Sequence, residues 1–185
     1  MKRLLTALVI AAALAPSARA AVYTQVLPDK SSIEFSYSQM GVPMDGRFRR
    51  FSSQLSFDPA QPAAAKVAID VDLASIDTGT PELDTEAAGK DWFNLASFPT
   101  ARFAATGVKP LGGNRYSVAG KLTIKGRGKD IVVPATFTTQ GNTGVFAGQF
   151  TIRRGDFAIG EGAWSAFDIV ANDVTVKFRV TASGK

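Results

Sequence analysis

The sequence predicts an all-β protein built as one eight-stranded antiparallel β-barrel with a short helical insert. Three observations support this class. Apolar and polar residues alternate with a period of two along most of the chain, which is typical of half-buried strands. Only one segment carries the start and stop residues of a helix. The strand-like segments follow one another without the spacing of βαβ units.

Residues 114–137 carry the most regular alternation and predict a long hairpin. The apolar phase of the first arm contains Tyr116, Val118, Gly120, Leu122 and Ile124. Residues 125–129 (KGRGK) supply two glycines for a turn, and the alternation resumes at Ile131, Val133, Ala135 and Phe137. The first arm is about a dozen residues long, or roughly 40 Å. Strands of this length are typical of closed or strongly curved sheets.

The chain begins with a segment that predicts export. Residues 1–20 combine a basic start, an apolar run over 4–14 and small residues at Ala18 and Ala20, as in a cleavable signal peptide. We expect cleavage after Ala20 and a mature domain of residues 21–185; an N-terminal anchor helix is the alternative. Without this leader 18 basic side chains accompany 16 acidic ones, so the net charge falls from +5 to +2. We therefore expect no nucleic-acid partner.

The first half of the mature domain predicts three strands and the helix. Alternation marks strands near 33–38, 51–57 and 67–73, and residues 41–46 are rich in turn formers. Phe48 is out of phase with Phe51, which indicates a bulge near 49–50. Thr80 is a suitable N-cap, Pro81 follows it, and Gly89 is a stop, so a helix is expected to about Ala88. The aromatic residues of 90–98 are expected to pack over one end of the sheet.

The second half predicts the remaining strands. Pro99 restarts an extended chain, with Ala101, Phe103 and Ala105 in one phase. After the hairpin and a turn at 141–144, a strand is expected over 146–152, and strand alternation is expected to resume at Phe157 and Ile159. A Gly-rich loop and a last strand over 174–181 complete the chain.

The alternation does not say which phase faces inward. An outer-membrane barrel would turn its apolar phase to lipid, but the helical insert and the mid-strand Gly and Ala residues disfavour it. In an inward-facing arrangement, Gly120, Ala101 and Ala135 could leave a narrow apolar channel. Alternating small and large residues that fill the barrel are an equally good interpretation.

Motifs spread over nearly all of the mature domain resemble the YceI-like family. They are FDP at 57–59, ASIDTG at 74–79, KDWFNLASFPTARF at 90–103, GKLTIKGRGKDIVVP at 120–134 and FTIRRGDFAIGEGAW at 150–164. The resemblance implies a periplasmic, lipocalin-like barrel that holds a polyisoprenoid chain, such as a quinone tail or a prenyl phosphate, or another long-chain amphiphile. Relatives often carry a histidine before the glycine that ends the first long strand. This chain has Gln39-Met40-Gly41 there and has no histidine at all.

Candidate site residues follow from the inward phase and the resemblance. The apolar channel is expected to be lined by Phe35, Tyr37, Phe51, Phe57, Ala101, Phe103, Gly120, Leu122, Ala135, Phe137, Phe146, Phe150, Trp164 and Phe178. Gln39, Arg153 and Arg154 are candidates for a headgroup contact. For the two arginines, an Arg–Asp pair with Asp156 that ties a bulge is the alternative.

The residue types present argue for binding without catalysis. With no His and no Cys, the usual nucleophilic triads and zinc sites cannot be built, so no catalytic residue, metal or required cofactor is expected. Asp70 and Asp72 share a strand face that we interpret as a solvated outer surface. We expect an isoprenoid lipid or quinone as ligand, transient contact with a membrane surface, and a monomer or homodimer. A filled barrel acting as a stress or interaction protein, a binder of fatty acids or their amides, and an enzyme acting on a lipid are the alternatives.

Overall fold

The computed structural model describes residues 21–184 and confirms the all-β class. Eleven strands among these residues form one curled antiparallel sheet, an incomplete barrel, in the order β4-β5-β7-β8-β9-β10-β11-β2-β3-β6, with β1 beside β11. The strands are β1 (Tyr23–Val26), β2 (Ser32–Gln39), β3 (Val42–Phe48), β4 (Phe51–Ser56), β5 (Lys66–Asp72), β6 (Ile76–Asp77), β7 (Thr100–Gly112), β8 (Arg115–Ile124), β9 (Arg127–Gln140), β10 (Thr143–Arg153) and β11 (Asp173–Gly184).

The expected eight strands become eleven because three of them are interrupted. β1 and β2 pair with successive parts of β11 and so form one interrupted line. β3 and β4 are separated only by Arg49 and Arg50, and β5 and β6 only by the 3-10 turn Leu73–Ser75. The two breaks lie side by side, because Arg49 N–H donates to the Ser75 carbonyl (3.0 Å) and Asp72 N–H to the Arg50 carbonyl (3.1 Å).

The sheet closes on itself at a partial seam. β2 and β3 pair along their whole length, from Ile33–Phe48 to Gln39–Val42. A second contact joins β1 to the residue after β4: Tyr23 and Phe57 form a bridge, with N–H to carbonyl distances of 2.9 and 3.0 Å. The curvature therefore brings the two ends of the sheet together around a shared interior.

One α-helix, α1 (Pro81–Ala88), lies among the described residues and confirms the predicted insert. It starts after Thr80 with proline at its first position and ends at Gly89, whose N–H donates to the Glu86 carbonyl. Five 3-10 turns accompany it: Pro28–Lys30, Pro62–Ala64, Leu73–Ser75, Arg154–Phe157 and Gly162–Trp164. Within residues 21–184 no helix has the length and hydrophobicity that crossing a bilayer requires.

The central hairpin consists of β8 and β9, joined by a two-residue turn. Lys125 (φ 50°) and Gly126 (φ 72°) both adopt positive φ, as a tight hairpin turn requires. The turn is thus shorter than expected, and Gly128 already belongs to β9, opposite Thr123. The apolar phase faces inward, since Tyr116, Leu122, Ile124, Val133 and Phe137 are all buried.

Two local predictions were wrong. Residues 42–46, expected as a turn, belong to strand β3, because Met40 and Gly41 alone reverse the chain and residues 42–48 pair with β2. Phe157 and Ile159, expected in a resumed strand, lie in and after a 3-10 turn, where Ala158 adopts a left-handed conformation (φ 53°). Both side chains are nonetheless buried, so their hydrophobicity reports packing and not alternation along a strand.

The interior contains two hydrophobic clusters. The first includes Leu73, Leu122, Ile152 and Phe157, and Trp92, Phe93 and Leu95 of the segment after α1 pack against it, as expected for the aromatic cap. The second cluster contains Tyr23, Phe57, Val108, Tyr116, Phe137 and Ala182. Edge-to-face and tilted ring contacts join its aromatic residues at centroid distances near 5 Å. The second cluster fills the end of the barrel away from α1.

Candidate ligand-binding cavity

The curled sheet encloses a cavity of about 290 Å³ whose wall is almost wholly apolar. Every line of the sheet contributes inward-facing side chains to it, and α1 and the aromatic segment after α1 cover one end. The volume is close to the lower end of the roughly 300–1,000 Å³ that is typical of small-molecule sites. The interior of the barrel is therefore not filled by its own side chains, and the filled-barrel alternative does not fit.

Most of the predicted channel residues lie on this wall. They are Phe35, Tyr37, Ala101, Phe103, Leu122, Ala135, Phe146, Phe150, Trp164 and Phe178. Burial raises the pKa of the Tyr37 hydroxyl above its ordinary value of 10.0, so this group stays neutral at physiological pH. The inward phases of β2, β7, β8, β9, β10 and β11 thus converge on one apolar space.

Four predicted residues do not line the cavity. Phe57 and Phe137 pack against each other at 4.9 Å between ring centroids and seal the far end of the barrel. Gly120 lies beneath the Phe103 ring, and a Cβ at this position would be 2.5 Å from that ring and 2.6 Å from the Ala104 carbonyl oxygen. Phe51 is half-buried on β4, away from the wall. Gly120 therefore makes room for an aromatic ring and not for a ligand.

The two candidate headgroup arginines, Arg153 and Arg154, differ in their exposure to solvent. Arg153 is exposed and forms an ion pair with Asp156 at 3.3 Å, which is the alternative that the sequence offered to a headgroup contact. Arg154 is 1% exposed, and burial lowers the pKa of its guanidinium from the ordinary value. Its Nε, Nη1 and Nη2 atoms donate to carbonyl oxygens of Ile159, Gly160, Trp164, Ala166, Val170 and Ala171 at 2.8–3.3 Å.

Arg154 touches the cavity wall but has its donors committed to the protein itself. The six carbonyls belong to one irregular segment, residues 159–171, which no strand pairing supports among the described residues except the bridge between Gln39 and Val170. The guanidinium acts as the organising centre of this segment. It is thus not available as a phosphate-binding fork, which corrects the headgroup prediction for Arg154.

Gln39 does line the cavity, beside its bridge to Val170. At the turn between β8 and β9, the Lys125 side chain is 7% exposed, and its Nζ donates to the Ala158 carbonyl (2.7 Å) and to Glu161 (2.9 Å). The Lys125 hydrogen bond lowers the pKa of Glu161. On the outer face, Asp70 and Asp72 pair with Arg102 and Arg50, as expected of a solvated surface.

The covered end of the cavity contains residues that the sequence did not mark as a site. Leu83, Glu86 and Ala87 of α1 and Trp92 and Phe93 of the following segment all reach the wall. The sequence predicts that the aromatic residues of 90–98 pack over one end of the sheet, but nothing in their spacing indicates that they face a cavity. These residues meet Trp164 and Arg154 only because the chain folds back over the end of the barrel.

The indoles at this end differ in their hydrogen bonding. Trp164 Nε1 donates to Glu86 at 2.8 Å. Trp92, whose ring lies 5.6 Å from that of Trp164, has a buried Nε1 with no partner. Within residues 21–184 this is the only buried side-chain nitrogen or oxygen left unpaired. No group of three or more His, Cys, Asp or Glu residues in the described part of the chain is placed to hold a metal ion.

Known proteins share both the sequence and the shape of this chain. A family model described as the YceI-like domain matches residues 25–182. A UPF0312 protein of Azotobacter vinelandii is 33% identical over 145 residues and covers 76% of each chain. A UPF0312 protein of Vibrio cholerae is 32% identical over 169 residues, which is 86% of this chain and 89% of the relative.

Solved structures share the fold of this chain. Burkholderia cenocepacia BcnA superposes with a TM-score of 0.84 at 40% identity, covering 86% of this chain and 100% of BcnA. A polyisoprenoid binding domain from Saccharophagus degradans, implicated in plant cell wall breakdown, has a TM-score of 0.71 at 15% identity and shows the shared fold. It covers 89% of this chain and 99% of that domain. The chain with its curled sheet and enclosed apolar cavity therefore belongs to the YceI-like family.

Proposed function

We propose that this protein binds a long apolar chain of the polyisoprenoid class inside the cavity and carries it through the periplasm. The observation that supports this most directly is the cavity of about 290 Å³, which has an almost wholly apolar wall and is not filled by the side chains of the barrel. The relative from Saccharophagus degradans, described as a polyisoprenoid binding domain, has the same fold. A quinone tail or a prenyl phosphate is the expected ligand.

Burial of hydrocarbon supplies enough free energy for such binding. Each buried methylene contributes about 0.8 kcal/mol, and association costs an estimated 4–15 kcal/mol. A few isoprene units held between side chains such as Phe103, Phe150 and Phe178 therefore offset that cost. Because this interaction has no direction, the length and bore of the cavity select the tail, and fatty acids or their amides are the second class of ligand that the wall accommodates.

We propose binding without turnover. The Glu86 carboxylate on the wall accepts the Trp164 N–H, and Asp84 accepts both the hydroxyl and the main-chain N–H of the wall residue Thr78. We interpret both carboxylates as structural and not as the base of a base and nucleophile pair. A catalytic role would need such a pair within hydrogen-bonding reach of the ligand. Incubation with a prenyl pyrophosphate and analysis of the products tests this, since release of phosphate or pyrophosphate would contradict it.

Export to the periplasm is part of the proposal. The predicted leader, residues 1–20, lies outside the described residues. Cleavage after Ala20 is compatible with the folded domain, because Tyr23 is already buried in the second cluster and β1 begins there. Cell fractionation with N-terminal sequencing should find a protein that starts at Ala21 in the periplasmic fraction; a full-length protein retained in the membrane fraction would contradict export.

An exposed apolar patch supports ligand exchange with a bilayer surface. Met40 and Val42, at the β2–β3 turn, are 72% and 57% exposed, and Ile169 and Phe167 lie on the facing segment. The Met40 N–H donates to the Ile169 carbonyl at 2.7 Å, so the two segments form one surface. Gln39 and Val170, directly beside it, line the cavity. We therefore propose that this patch contacts lipid when the ligand is exchanged.

The ligand can be identified directly. The purified protein should be extracted with organic solvent and the extract analysed by mass spectrometry, and delipidated protein should then be titrated with an isoprenoid quinone. We expect a co-purified isoprenoid or saturable uptake of the quinone. Protein that is repeatedly empty and takes up no quinone, prenyl phosphate or fatty acid would overturn the proposed function.

A further inference from the structure

The indole N–H of Trp92 is buried and has no hydrogen-bond acceptor within the protein. Buried polar groups are hydrogen-bonded in the great majority of cases, and leaving one without a partner costs about 1–3 kcal/mol. In residues 21–184 every other buried side-chain nitrogen or oxygen has a partner. Trp92 also lines the cavity, so the missing partner can come from a molecule inside it.

The neighbours of Trp92 show what kind of partner would fit. Trp164 is already satisfied by Glu86, and the Arg154 guanidinium, 5.7 Å from the centre of the Trp92 ring, donates to main-chain carbonyls with all three nitrogens. Among the buried side-chain donors of the described residues, Trp92 Nε1 is thus the one that remains free, and it lies at the covered end of the cavity. A phosphate needs several donors for its oxygens, and the Glu86 carboxylate on the same wall repels it. A carbonyl oxygen needs a single donor and carries no charge.

We infer that Trp92 Nε1 is a headgroup-recognition site that accepts a neutral carbonyl at the covered end of the cavity, and that the protein prefers carbonyl-bearing isoprenoids, such as quinones, to prenyl phosphates. This inference rests on the proposed function and narrows its ligand class. The ligand then lies with its carbonyl end beneath α1 and the Trp92 segment and its tail toward the second cluster.

Three probes that share one isoprenoid tail separate the contributions. The first ends in a quinone, the second in a methyl group and the third in a phosphate. Trp92→Phe keeps an aromatic ring but removes the N–H. We expect this variant to weaken quinone binding about three- to tenfold and to leave the hydrocarbon and the phosphate unchanged within about twofold. The hydrocarbon and the phosphate are the matched controls for the variant, and a thermal melt verifies its fold.

A second measurement does not depend on any variant that might fail to fold. The chain has two tryptophans, so an amide NMR spectrum of the wild-type protein shows two indole N–H signals. We expect the quinone to shift the Trp92 indole proton downfield, as a new hydrogen bond does, while the hydrocarbon does not. The Trp164 indole N–H already donates to Glu86, so its signal should move little with either probe.

The outcomes separate this inference from the proposed function. If the wild type binds none of the three probes, both are overturned. If it binds them, but Trp92→Phe weakens all three equally or weakens none, Trp92 is a packing residue and the inference alone fails. The same conclusion follows if the quinone and the hydrocarbon move the Trp92 indole signal alike, or if the phosphate binds more tightly than the quinone.

Discussion

The guanidinium carbon of Arg154 lies 5.7 Å from the centre of the Trp92 ring, so a fully buried cation packs on an indole at the covered end of the cavity. The same carbon lies 4.8 Å from the centre of the Phe167 ring. The charge is thus enclosed by two aromatic rings and by the carbonyls of residues 159–171. This arrangement joins the irregular segment to the wall that would hold a ligand.

Replacing Arg154 with Met should destabilise the protein by at least about 3 kcal/mol, because several main-chain carbonyls would lose their charged donor at once. Chemical denaturation of the two proteins measures the change. Arg153→Met is the control, since Arg153 is exposed and its pair with Asp156 contributes at most about 1 kcal/mol. Equal effects of the two substitutions would show that the buried guanidinium does not organise this segment.

Filling the cavity should weaken ligand binding. Ala135 lies on the cavity wall, and Ala135→Phe places a ring in the space that the tail would occupy. We expect the affinity for an isoprenoid quinone to fall at least about tenfold, with a loss of stability no greater than about 1–3 kcal/mol. Val132→Phe is the control, because Val132 lies on the same strand in the opposite phase and is 62% exposed. Unchanged uptake by Ala135→Phe would place the ligand elsewhere.

Gly120 should behave as a packing position. A Cβ there would be 2.6 Å from a main-chain oxygen, which cannot move aside as a side chain can. Gly120→Ala is therefore expected to cost about 1–3 kcal/mol of unfolding free energy. Gly107→Ala on the neighbouring strand is the comparison, since its Cβ would meet nothing within 4 Å. If thermal and chemical denaturation find Gly120→Ala as stable as Gly107→Ala, the close approach of Phe103 and Ala104 is not maintained in solution.

Acid should weaken the β3–β6 junction. Hydrogen bonds from Arg49 and Arg47 lower the pKa of Asp77 from 3.8 to about 2. A carboxyl whose pKa is lowered on folding stabilises the protein above its unfolded pKa and loses that contribution as the pH falls toward the folded pKa. Between about pH 4 and pH 2, the unfolding free energy should thus fall more steeply in the wild type than in Asp77→Asn. Parallel pH profiles would contradict this.

Removing the exposed apolar patch should slow exchange with lipid without changing affinity. Met40 and Val42 are outside the cavity wall, so the double substitution with Ser leaves the binding space intact. We expect the rate of quinone transfer from vesicles to fall about tenfold, as for the loss of one buried apolar side chain at the bilayer. Leu111→Ser, which removes an exposed apolar residue near the opposite end, should have no effect. Equal rates for all three proteins would exclude the patch.

The amino-acid sequence by itself determined the all-β class, the place of α1 and the division of the long strands into an apolar and a polar face. These features depend on neighbours a few residues apart: Thr80, Pro81 and Gly89 bound a helix, and Tyr116, Leu122 and Ile124 alternate along one face of β8, which the structure places in the interior. The family motifs pointed to the same fold, because they run in order through nearly all of the domain.

Tertiary structure decided which inward residues meet a void and which donors remain free. Phe137 and Ala135 share a strand face, yet one seals the end of the barrel and the other lines the cavity, because curvature sets the depth at which each side chain lies. The sequence suggested a headgroup contact for Arg154 and only packing for Trp92, and it could not show which of their N–H groups would find partners within the protein. The surroundings of Trp92 come from distant parts of the chain, since Arg154 packs on its ring at 5.7 Å and the neighbouring Trp164 donates to Glu86 across 78 residues, and these segments meet only when the sheet closes.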